Sequence, residues 1–366
     1  MKKPLGTLGV LVNERKGTPP FADEYFCRRL CQEGVNFGMN VVVLTPRSSE
    51  PDGNYLGYQY IKGNWTLLPV EQPDLIYDRC LSPVPGIFRR RLNKASKSAS
   101  HKVRYLSRGL PGKWHVYNSL RLNALLKDHL PDTAVYTNVE QLKQWLIRYP
   151  QGVFLKPQAG THGKRTVLVR RQPENGKLII QGRNSSNHMF NKRFTNHELG
   201  LSQLHRILST RTFIIQPFLS LMNQEEKPFD LRVLVQKNGR GKWSLSGQAI
   251  REGGHGSLTS NLHGGGTALD CRSFLETEYG KDQAEFIINK AAELSAVIPV
   301  VLEGRFGRLS ELGIDYGIDR DGKLWIIEVN SKPGRSSFLL AGDMESTSLA
   351  YNRPLEYARY LLLRTQ

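Results

Sequence analysis

The first hundred residues alternate short apolar runs with polar segments in a pattern that predicts a strand, a helix and then further strands. Leu5–Val12 is an apolar run that predicts a first strand, and Asn40–Leu44 predicts a second. Between them an amphipathic helix is expected from about Phe21, with its apolar stripe on Phe26, Leu30 and Val35. Asp74–Tyr77 predicts an additional parallel strand, so we expect a small open α/β domain.

The pattern changes twice further along the chain. Leu120–Leu130 and about Val139–Tyr149 have helical spacing, and Pro131 closes the first of these segments. From Gly152 onward, short β-branched runs separated by glycine-containing turns predict hairpins. The predicted strands are Val153–Pro157, Thr166–Arg171, Leu178–Gly182, Thr212–Pro217, Arg232–Gln236, Trp243–Ile250, Gly313–Gly317 and Leu324–Val329. Helices are expected at about Phe274–Ile298, as a broken or long element, and at Pro354–Leu363. The whole chain is therefore expected to combine α/β and α+β regions.

The composition is that of a folded globular protein. The chain has 366 residues, of which 39% are hydrophobic and 23% charged. No run approaches the roughly 20 apolar residues that a membrane helix needs, and the N-terminus lacks a signal-peptide pattern. Four scattered cysteines do not form a disulfide framework, which favours a reducing compartment, and the cytoplasm is the simplest expectation.

Positive charge is concentrated in one stretch of the sequence. The formal net charge is +18, and no acidic residue lies between Asp78 and Asp128. Residues 89–113 are therefore expected to attract polyanions. Two explanations stay open: a solvated surface with nucleotide phosphate binding, or recognition of an acidic protein tail, a polyglutamate-like acceptor or RNA. A dedicated nucleic-acid site is not expected, because few aromatic residues are interleaved with the basic ones. The basic residues are Arg89, Arg90, Arg91, Lys94, Lys97, Lys102, Arg104, Arg108 and Lys113.

A lysine followed by a glycine-containing loop forms the first candidate site. Lys156 ends a predicted strand, and Gly160, Thr161, His162 and Gly163 follow it. A cation beside exposed backbone N–H groups could close over phosphates. The segment lacks the spacing of a P-loop, so an ordinary turn remains an alternative.

Three oxygen-bearing side chains form the second candidate site. Strand alternation places Glu328 and Asn330 on one face, and the preceding hairpin strand brings Asp315 opposite them. The turn containing Asp321 and Gly322 suits such a hairpin. Oxygen ligands on rigid strands match the needs of Mg²⁺ ions that bridge nucleotide phosphates. The alternative is a strand that simply ends in a polar turn.

The order of these segments resembles that of ATP-grasp ligases. The Glu-x-Asn pair at Glu328 and Asn330 is the most specific mark of that superfamily. Nearly the whole chain is similar to the YheC/YheD-like ATP-grasp family, which is associated with Bacillus spore coats. Segments that carry this resemblance include Leu8–Val12, Gly57–Tyr60, Pro73–Arg79, Leu130–Thr133, Ile214–Leu219, Phe229–Val233 and Asn261–Gly266.

The resemblance implies a domain order and a role for each matched residue. It implies a pre-ATP-grasp domain at 1–111, linker helices at 112–150, a small ATP-grasp subdomain covering the nucleotide at 151–219, and a large subdomain with the metal site at 220–366. ATP and Mg²⁺ are the implied cofactors. The implied nucleotide contacts are Lys156, Gly160, Thr161, His162, Gly163, the hinge residues Gln216, Pro217, Phe218 and Leu219, and Asn223 near the ribose; the implied metal ligands are Asp315, Glu328 and Asn330; the implied catalytic residues are Arg232, Arg251 and Asn261.

The implied reaction joins a carboxylate to an amine through an acyl phosphate. The substrates would be small molecules, peptides or an acidic protein tail. Two alternatives stay open: a noncatalytic ATP-binding spore-coat or scaffold protein, and phosphoryl transfer to a non-carboxylate acceptor. A homodimer is a reasonable expectation, because symmetric dimers dominate soluble assemblies. The sequence departs from its relatives at Asn223, which replaces a carboxylate, and on the helix before Leu130, where Arg121 is the candidate to replace a missing lysine.

Overall fold

The structure is a computed structural model that describes residues 3–48, 55–81, 103–160, 163–172, 174–257, 260 and 265–364. The first part of the chain forms a six-stranded sheet, called here the N-terminal sheet. Its first strand, β1 (Thr7–Leu11), pairs in parallel with β2 (Asn40–Leu44). It also pairs in parallel with Leu75–Asp78, which confirms the additional parallel strand predicted there. Between β1 and β2 lies helix α1 (Glu24–Gly34). Val35 is 74% exposed, so its predicted place in the apolar stripe is wrong: the helix ends at Gly34.

A hairpin that the sequence analysis missed extends this sheet. Strands β3 (Tyr55–Ile61) and β4 (Asn64–Val70) pair in antiparallel fashion beyond β2. Lys62 and Gly63 join them with positive φ angles of 47° and 88°, the combination that a tight two-residue hairpin turn requires. The Leu75–Asp78 strand is β5, and it pairs in parallel with the short β6 (Arg104–Tyr105), so the strand order is β4-β3-β2-β1-β5-β6.

The segment between the two halves of the chain differs from its prediction. Helix α2 spans Lys113–Leu120, and the chain then continues through turns and a short 3₁₀ helix at Lys127–His129 instead of a helix over Leu120–Leu130. The Asn123 side chain accepts a hydrogen bond from the Leu125 N–H at 3.0 Å, a local bond that competes with the helical pattern. The second predicted helix is confirmed as α3 (Val139–Arg148), which follows the short strand β7 (Ala134–Val135).

A second six-stranded sheet, the middle sheet, is antiparallel throughout. It contains β8 (Val153–Pro157), β9 (Val167–Arg171), β10 (Leu178–Arg183), β11 (Met189–Phe194) and β12 (Phe213–Pro217) in the order β11-β10-β9-β8-β12-β7. Four of these strands were predicted. Strand β11 and helix α4 (His197–Leu208) were missed. Asn196 caps the start of α4 by accepting the Leu199 N–H at 3.1 Å.

A third, five-stranded antiparallel sheet is called the C-terminal sheet. Its strands are β13 (Phe229–Lys237), β14 (Trp243–Glu252), β15 (Thr267–Asp270), β16 (Glu311–Ile318) and β17 (Leu324–Asn330), in the order β15-β14-β13-β16-β17. Helices α5 (Cys271–Tyr279) and α6 (Lys281–Phe306) pack on it, so of the two expected forms, broken or long, the helical segment is broken, at Gly280, whose φ is 80°. The β16–β17 hairpin closes through Asp319–Gly322, as predicted.

The last two helices return the chain to its beginning. After α7 (Ser336–Leu340), helix α8 spans Met344–Leu363, so it begins well before the predicted Pro354. Asp343 caps α8 by accepting the Ser346 N–H at 2.8 Å. The apolar face of α8 joins the core of the N-terminal sheet. The core residues from α8 are Tyr351, Leu355, Tyr357, Ala358, Leu361 and Leu362.

Pro354 lies inside α8 and leaves one helical carbonyl without its usual partner. Proline has no N–H, so the carbonyl of Ala350 cannot accept the intrahelical bond from residue 354. That carbonyl instead accepts Nε of Arg335 at 2.9 Å and Nε2 of Gln236 at 3.2 Å. Helix α8 is thereby bound to the loop after β17 and to β13.

Candidate active site

A cleft of about 1280 Å³ lies where the three sheets meet. It is larger than most small-molecule pockets, which range from about 300 to 1,000 Å³. Among the described residues, ten cationic and five acidic side chains line it, so the cleft is suited to anionic ligands. The cations are Arg15, Arg79, Arg108, Lys113, Lys156, Lys164, Arg232, Arg251, Lys332 and Arg335; the acidic residues are Asp23, Glu24, Asp230, Asp315 and Glu328.

The C-terminal sheet brings the three predicted oxygen ligands together. Asp315 on β16 lies directly opposite Glu328 on β17, and Asn330 lies two residues further along opposite Gly313. All three line the cleft. In the described part of the chain, no three His, Cys, Asp or Glu side chains form a metal-sized cluster, so a metal here would use the Asn330 amide oxygen with the two carboxylates. Their role as metal ligands stays a prediction.

Asp315 belongs to a network of two arginines and two aspartates, in which Asp315 and both arginines are buried and Asp230 is partly buried. Arg232 donates to Asp315 from Nε at 2.5 Å and from Nη2 at 3.2 Å, and Arg251 Nη2 lies 3.1 Å from the same carboxylate. Arg251 also binds Asp230 through two bonds of 2.7 Å, and Ser260 donates to Asp230. Burial opposes ionisation of Asp315, but the two guanidiniums outweigh it and lower the pKa of Asp315.

The aspartate–arginine network is fixed by strand register. Arg232 on β13 pairs with Asp315 on β16, and Asp230 on β13 pairs with Arg251 on β14. Cross-strand neighbours of opposite charge therefore hold both arginines in place. The sequence analysis selected Arg232 and Arg251 but missed Asp230, which binds Arg251, and Ser260, which donates to Asp230.

Lys156 faces these carboxylates from the middle sheet. Burial lowers the pKa of Lys156 to about 8, with Glu328 acting in the opposite direction and Lys113 reinforcing the decrease. Lys156 is therefore a cation whose charge depends on pH in a range accessible to experiment. Gly160 and Gly163 line the cleft beyond it, whereas Thr161 and His162 lie outside the described residues.

Lys113 is a cleft residue that the sequence analysis did not select as a site. It begins α2, and its Nζ lies 3.0 Å from Oε1 of Glu328 and 3.0 Å from the carbonyl of Gly160. Arg121, the candidate to replace the missing lysine, is exposed and does not line the cleft. Lys113, at the start of the same helix, lines the cleft instead. Its signal was present in the sequence, since Lys113 directly follows Pro111 and Gly112 at a helix start.

The predicted hinge lines one end of the cleft. Gln216, Pro217, Phe218 and Leu219 all contribute to its wall. Gln216 is buried and donates from Nε2 to the Thr133 hydroxyl at 2.8 Å. Asn223 is not brought into the cleft: its side chain donates to Glu252 at 2.8 Å and accepts the Lys227 N–H at 2.8 Å. Asn261–Gly264, with the predicted catalytic Asn261, and the basic stretch from Arg89 to Lys102 lie outside the described residues.

A second charged cluster, missed from the sequence, contributes Arg79 and Arg335 to the wall of the cleft. The Arg79–Arg335 cluster consists of these two arginines, Glu311 and Tyr77. Glu311, at 1% exposure, accepts Arg79 Nη1 at 3.1 Å, Tyr77 Oη at 2.5 Å and Arg335 Nη2. Both guanidiniums lie over the ring of Phe26, with Cζ atoms 5.2 Å and 4.3 Å from its centroid. The cluster joins the N-terminal sheet to the loop after β17.

Comparison with known proteins is consistent with this arrangement. The profile of the YheC/D-like ATP-grasp family matches residues 102–361. The chain belongs to this family. Two relatives from Bacillus subtilis (strain 168) are the endospore coat-associated protein YheC, 28% identical over 97% of this chain and 96% of YheC, and the endospore coat-associated protein YheD, 27% identical over 85% of this chain and 68% of YheD.

Solved structures show the same fold at low sequence identity. The D-alanyl-alanine synthetase A of Vibrio cholerae has a TM-score of 0.55 and 11% identity, over 99% of both chains. N5-carboxyaminoimidazole synthetase from Staphylococcus aureus has a TM-score of 0.54 and 11% identity, over 97% of this chain and 78% of that chain. The ATP-grasp fold with its mixed α/β architecture is thus confirmed. Within the described residues, every helix is too short or too polar to cross a membrane.

Proposed function

We propose that this protein is an ATP- and Mg²⁺-dependent ligase that activates a carboxylate as an acyl phosphate and joins it to an amine. The observation that carries the proposal is one cleft in which Asp315 and Glu328 lie opposite each other while Lys156 faces them. Membership of the ATP-grasp family supports it, and so do the names of the structural neighbours, which are synthetases.

The charges of the cleft suit the approach of two anions. A carboxylate oxygen would bond to the γ-phosphorus of ATP while the bond from that phosphorus to the bridging oxygen of ADP breaks. Arg232 and Arg251 are held rigidly by their aspartates, so they can neutralise the developing charge without reorganisation. An amine nitrogen would then attack the acyl carbon, the bond to phosphate would break, and the nitrogen would lose a proton.

The donor set at the β16–β17 hairpin fits magnesium. Asp315, Glu328 and Asn330 offer carboxylate and amide oxygens, which are hard ligands of the kind that Mg²⁺ prefers. Arginines bind Asp315, and Lys113 binds Glu328. Both carboxylates therefore already interact with positively charged groups. Mg²⁺, when bound, would neutralise phosphate charge there.

Trapping with hydroxylamine tests the ligase directly. The full chain would be mixed with Mg-ATP, a panel of carboxylic acids, amino acids and acidic peptides, and hydroxylamine as the amine, and hydroxamate and ADP would be measured. We expect hydroxamate in stoichiometric proportion to ADP. Glu328→Gln should lower the rate by about 100-fold or more, since charge stabilisation is commonly worth that much. Glu71→Gln, an exposed substitution outside the cleft, is the matched control.

The other outcomes separate the competing functions. A stable phosphorylated product that does not react with hydroxylamine would show phosphoryl transfer to a non-carboxylate acceptor and not ligation. ATP binding without ADP release across the panel would favour the noncatalytic scaffold.

The names of the relatives also suggest a location. YheC and YheD are described as endospore coat-associated, and we propose the same association for this chain. Immunodetection in coat extracts of spores from the source organism tests it, and recovery of the protein solely from the vegetative cytoplasm would contradict it.

A further inference from the structure

Two adjacent carbonyls of the loop after β17 accept hydrogen bonds from arginines. One bond comes from the Arg232–Arg251 pair, and the others come from the Arg79–Arg335 pair. Arg232 Nη1 donates to the carbonyl of Gly334 at 3.4 Å. The preceding carbonyl, that of Pro333, accepts Arg79 Nη2 at 3.1 Å and Arg335 Nη1 at 3.2 Å. Adjacent residues are about 3.8 Å apart along the chain, so the two arginine pairs lie on the order of 10 Å from one another.

The two pairs differ in their compensating charge. Arg232 and Arg251 have two carboxylates beside them, the buried Asp315 and the partly buried Asp230, so their charges balance. Arg79 and Arg335 share one fully buried carboxylate, Glu311. A buried charge without a counter-charge is costly, so this second pair has capacity for one more anion.

The other residues around Arg79 and Arg335 do not provide a second buried carboxylate. Asp23 lies 3.4 Å from Arg79, but its side chain is 45% exposed, and an exposed pair of this kind is weak. Burial raises the pKa of Tyr77, which keeps its hydroxyl neutral. Lys332, on the same loop, pairs with Asp78 at 2.8 Å. The sequence has no acidic residue between Asp78 and Asp128, so the segment directly after Arg79 contributes none.

Arg79 and Arg335 both line the cleft that holds the proposed reaction centre. We infer that the carboxylate substrate is a dicarboxylic acid, or a peptide with a second carboxylate, whose unreacted carboxylate binds Arg79 and Arg335 while the other is activated beside Arg232 and Arg251. Among the described residues, Nε of Arg79 is buried without a hydrogen-bond partner, whereas Nε, Nη1 and Nη2 of Arg335 all donate to protein acceptors. Arg79 therefore supplies the available donor and Arg335 supplies a second positive charge, and charge-assisted hydrogen bonds of this kind are strong. The inference rests on the proposed function, because it names the substrate class of that site.

Asp23 then competes with the substrate for Arg79. This exposed aspartate occupies a left-handed backbone conformation with φ of 58°, which asparagine also tolerates, so Asp23→Asn is expected to fold. Removal of its charge should tighten binding of a diacid and leave a monoacid unaffected. Arg335→Lys keeps the charge but loses the forked geometry, and should weaken diacid binding.

Calorimetric titration measures the subsite without turnover. The full chain with Mg²⁺ and a non-hydrolysable ATP analogue would be titrated at low salt with succinate, glutarate and adipate, and with the monoacids butanoate, pentanoate and hexanoate of matching length. We expect at least one diacid to bind about tenfold tighter than its monoacid, a further gain of about threefold in Asp23→Asn, and a loss of about tenfold in Arg335→Lys, as charge-assisted hydrogen bonds imply.

The results separate this inference from the ligase proposal. Equal binding of diacids and monoacids, binding of neither series, or affinities that do not respond to Asp23→Asn and Arg335→Lys overturn the subsite. Hydroxamate formed equally well from pentanoate and glutarate retains the ligase and also overturns the subsite. Selective diacid binding with no hydroxamate from any acid retains the subsite and removes the ligase.

Discussion

Lys113 and Glu328 form an ion pair of 3.0 Å between Nζ and Oε1, which links the start of α2 to β17 across the cleft. Their side chains are 19% and 28% exposed, so the pair is partly shielded from solvent but still open to the cleft. A cation delivered by the segment between the N-terminal and middle sheets therefore lies beside the proposed metal and phosphate positions.

Replacement of Lys113 by glutamine is expected to weaken Mg-ATP binding about tenfold, because hydrogen bonds to charged groups contribute about 1.5–3 kcal/mol. Isothermal titration with a non-hydrolysable ATP analogue measures it. Arg121→Gln is the matched control, since this exposed arginine on the same segment does not line the cleft. Equal loss in both variants would show that general positive charge, and not the position of Lys113, determines affinity.

Nucleotide affinity is expected to decrease as the pH rises through about 8, because Lys156, with a pKa lowered to about 8, loses its charge there. The affinity decreases and does not increase, because the protonated lysine is the form that attracts phosphate. Titrations of the ATP analogue at pH 7, 8 and 9 measure the decrease. Lys156→Arg stays charged throughout this range, so its profile should be flat. A wild-type profile without a decrease would contradict the assignment of Lys156 as a phosphate contact.

Asp230→Asn is expected to lower both stability and turnover. Arg251 would lose the partly buried one of its two carboxylates and keep Asp315, so the cost should lie below the about 3–5 kcal/mol that is typical of breaking a fully buried ion pair. Thermal unfolding should show a lower midpoint, and the hydroxamate assay a lower rate, because Arg251 would no longer be held in place. Asp321→Asn in the exposed β16–β17 turn serves as the comparison. An unchanged unfolding midpoint for Asp230→Asn would argue against a structural role for this pair.

Gly313→Ala tests how closely the loop after β17 packs on β16. A Cβ at Gly313 would lie 2.6 Å from Cβ of Pro333 and 3.3 Å from Nη1 of Arg232. The loop or the arginine must therefore move, and overpacking of this kind costs about 1–3 kcal/mol. Thermal unfolding and the apparent affinity for the acid substrate should both be reduced. Gly239→Ala, where the nearest atom is 3.6 Å away, should leave both unchanged.

Local patterns predicted much of the hairpin that carries the proposed metal ligands. Asp319–Gly322 sets a tight turn, and the regular register from that turn would place Asp315 opposite Ile327. An irregularity between Asp315 and Tyr316 shifts the register by one residue, so the predicted neighbours Asp315 and Glu328 do lie opposite each other. The same reasoning could have found the β3–β4 hairpin, because Lys62 and Gly63 form a two-residue turn between runs of strand-forming residues. The roles predicted for Asp315, Glu328 and Asn330 stay predictions.

The Arg79–Arg335 cluster could not be predicted in this way. Its members come from distant parts of the chain, and Arg79 and Glu311 are separated by 232 positions. Glu311 begins a strand whose residues are all buried, so its pattern gives no sign of a partner. The same holds for α8, whose apolar face indicates burial but not which sheet it covers. Such pairings depend on tertiary packing, which single-sequence periodicity does not encode.

The Ala350 carbonyl, which Pro354 leaves without an intrahelical partner, connects α8 to Arg335 in the proposed substrate subsite. The Ala350 carbonyl accepts a hydrogen bond from Nε of Arg335. A residue outside the cleft therefore helps to orient a guanidinium that is proposed to bind the substrate. A chain shortened before Met344 would retain Lys156 and the β16–β17 hairpin with Asp315, Glu328 and Asn330, yet it would lose this acceptor and part of the N-terminal core. Substrate choice and nucleotide chemistry can therefore be separated by changes at the C-terminus of the chain.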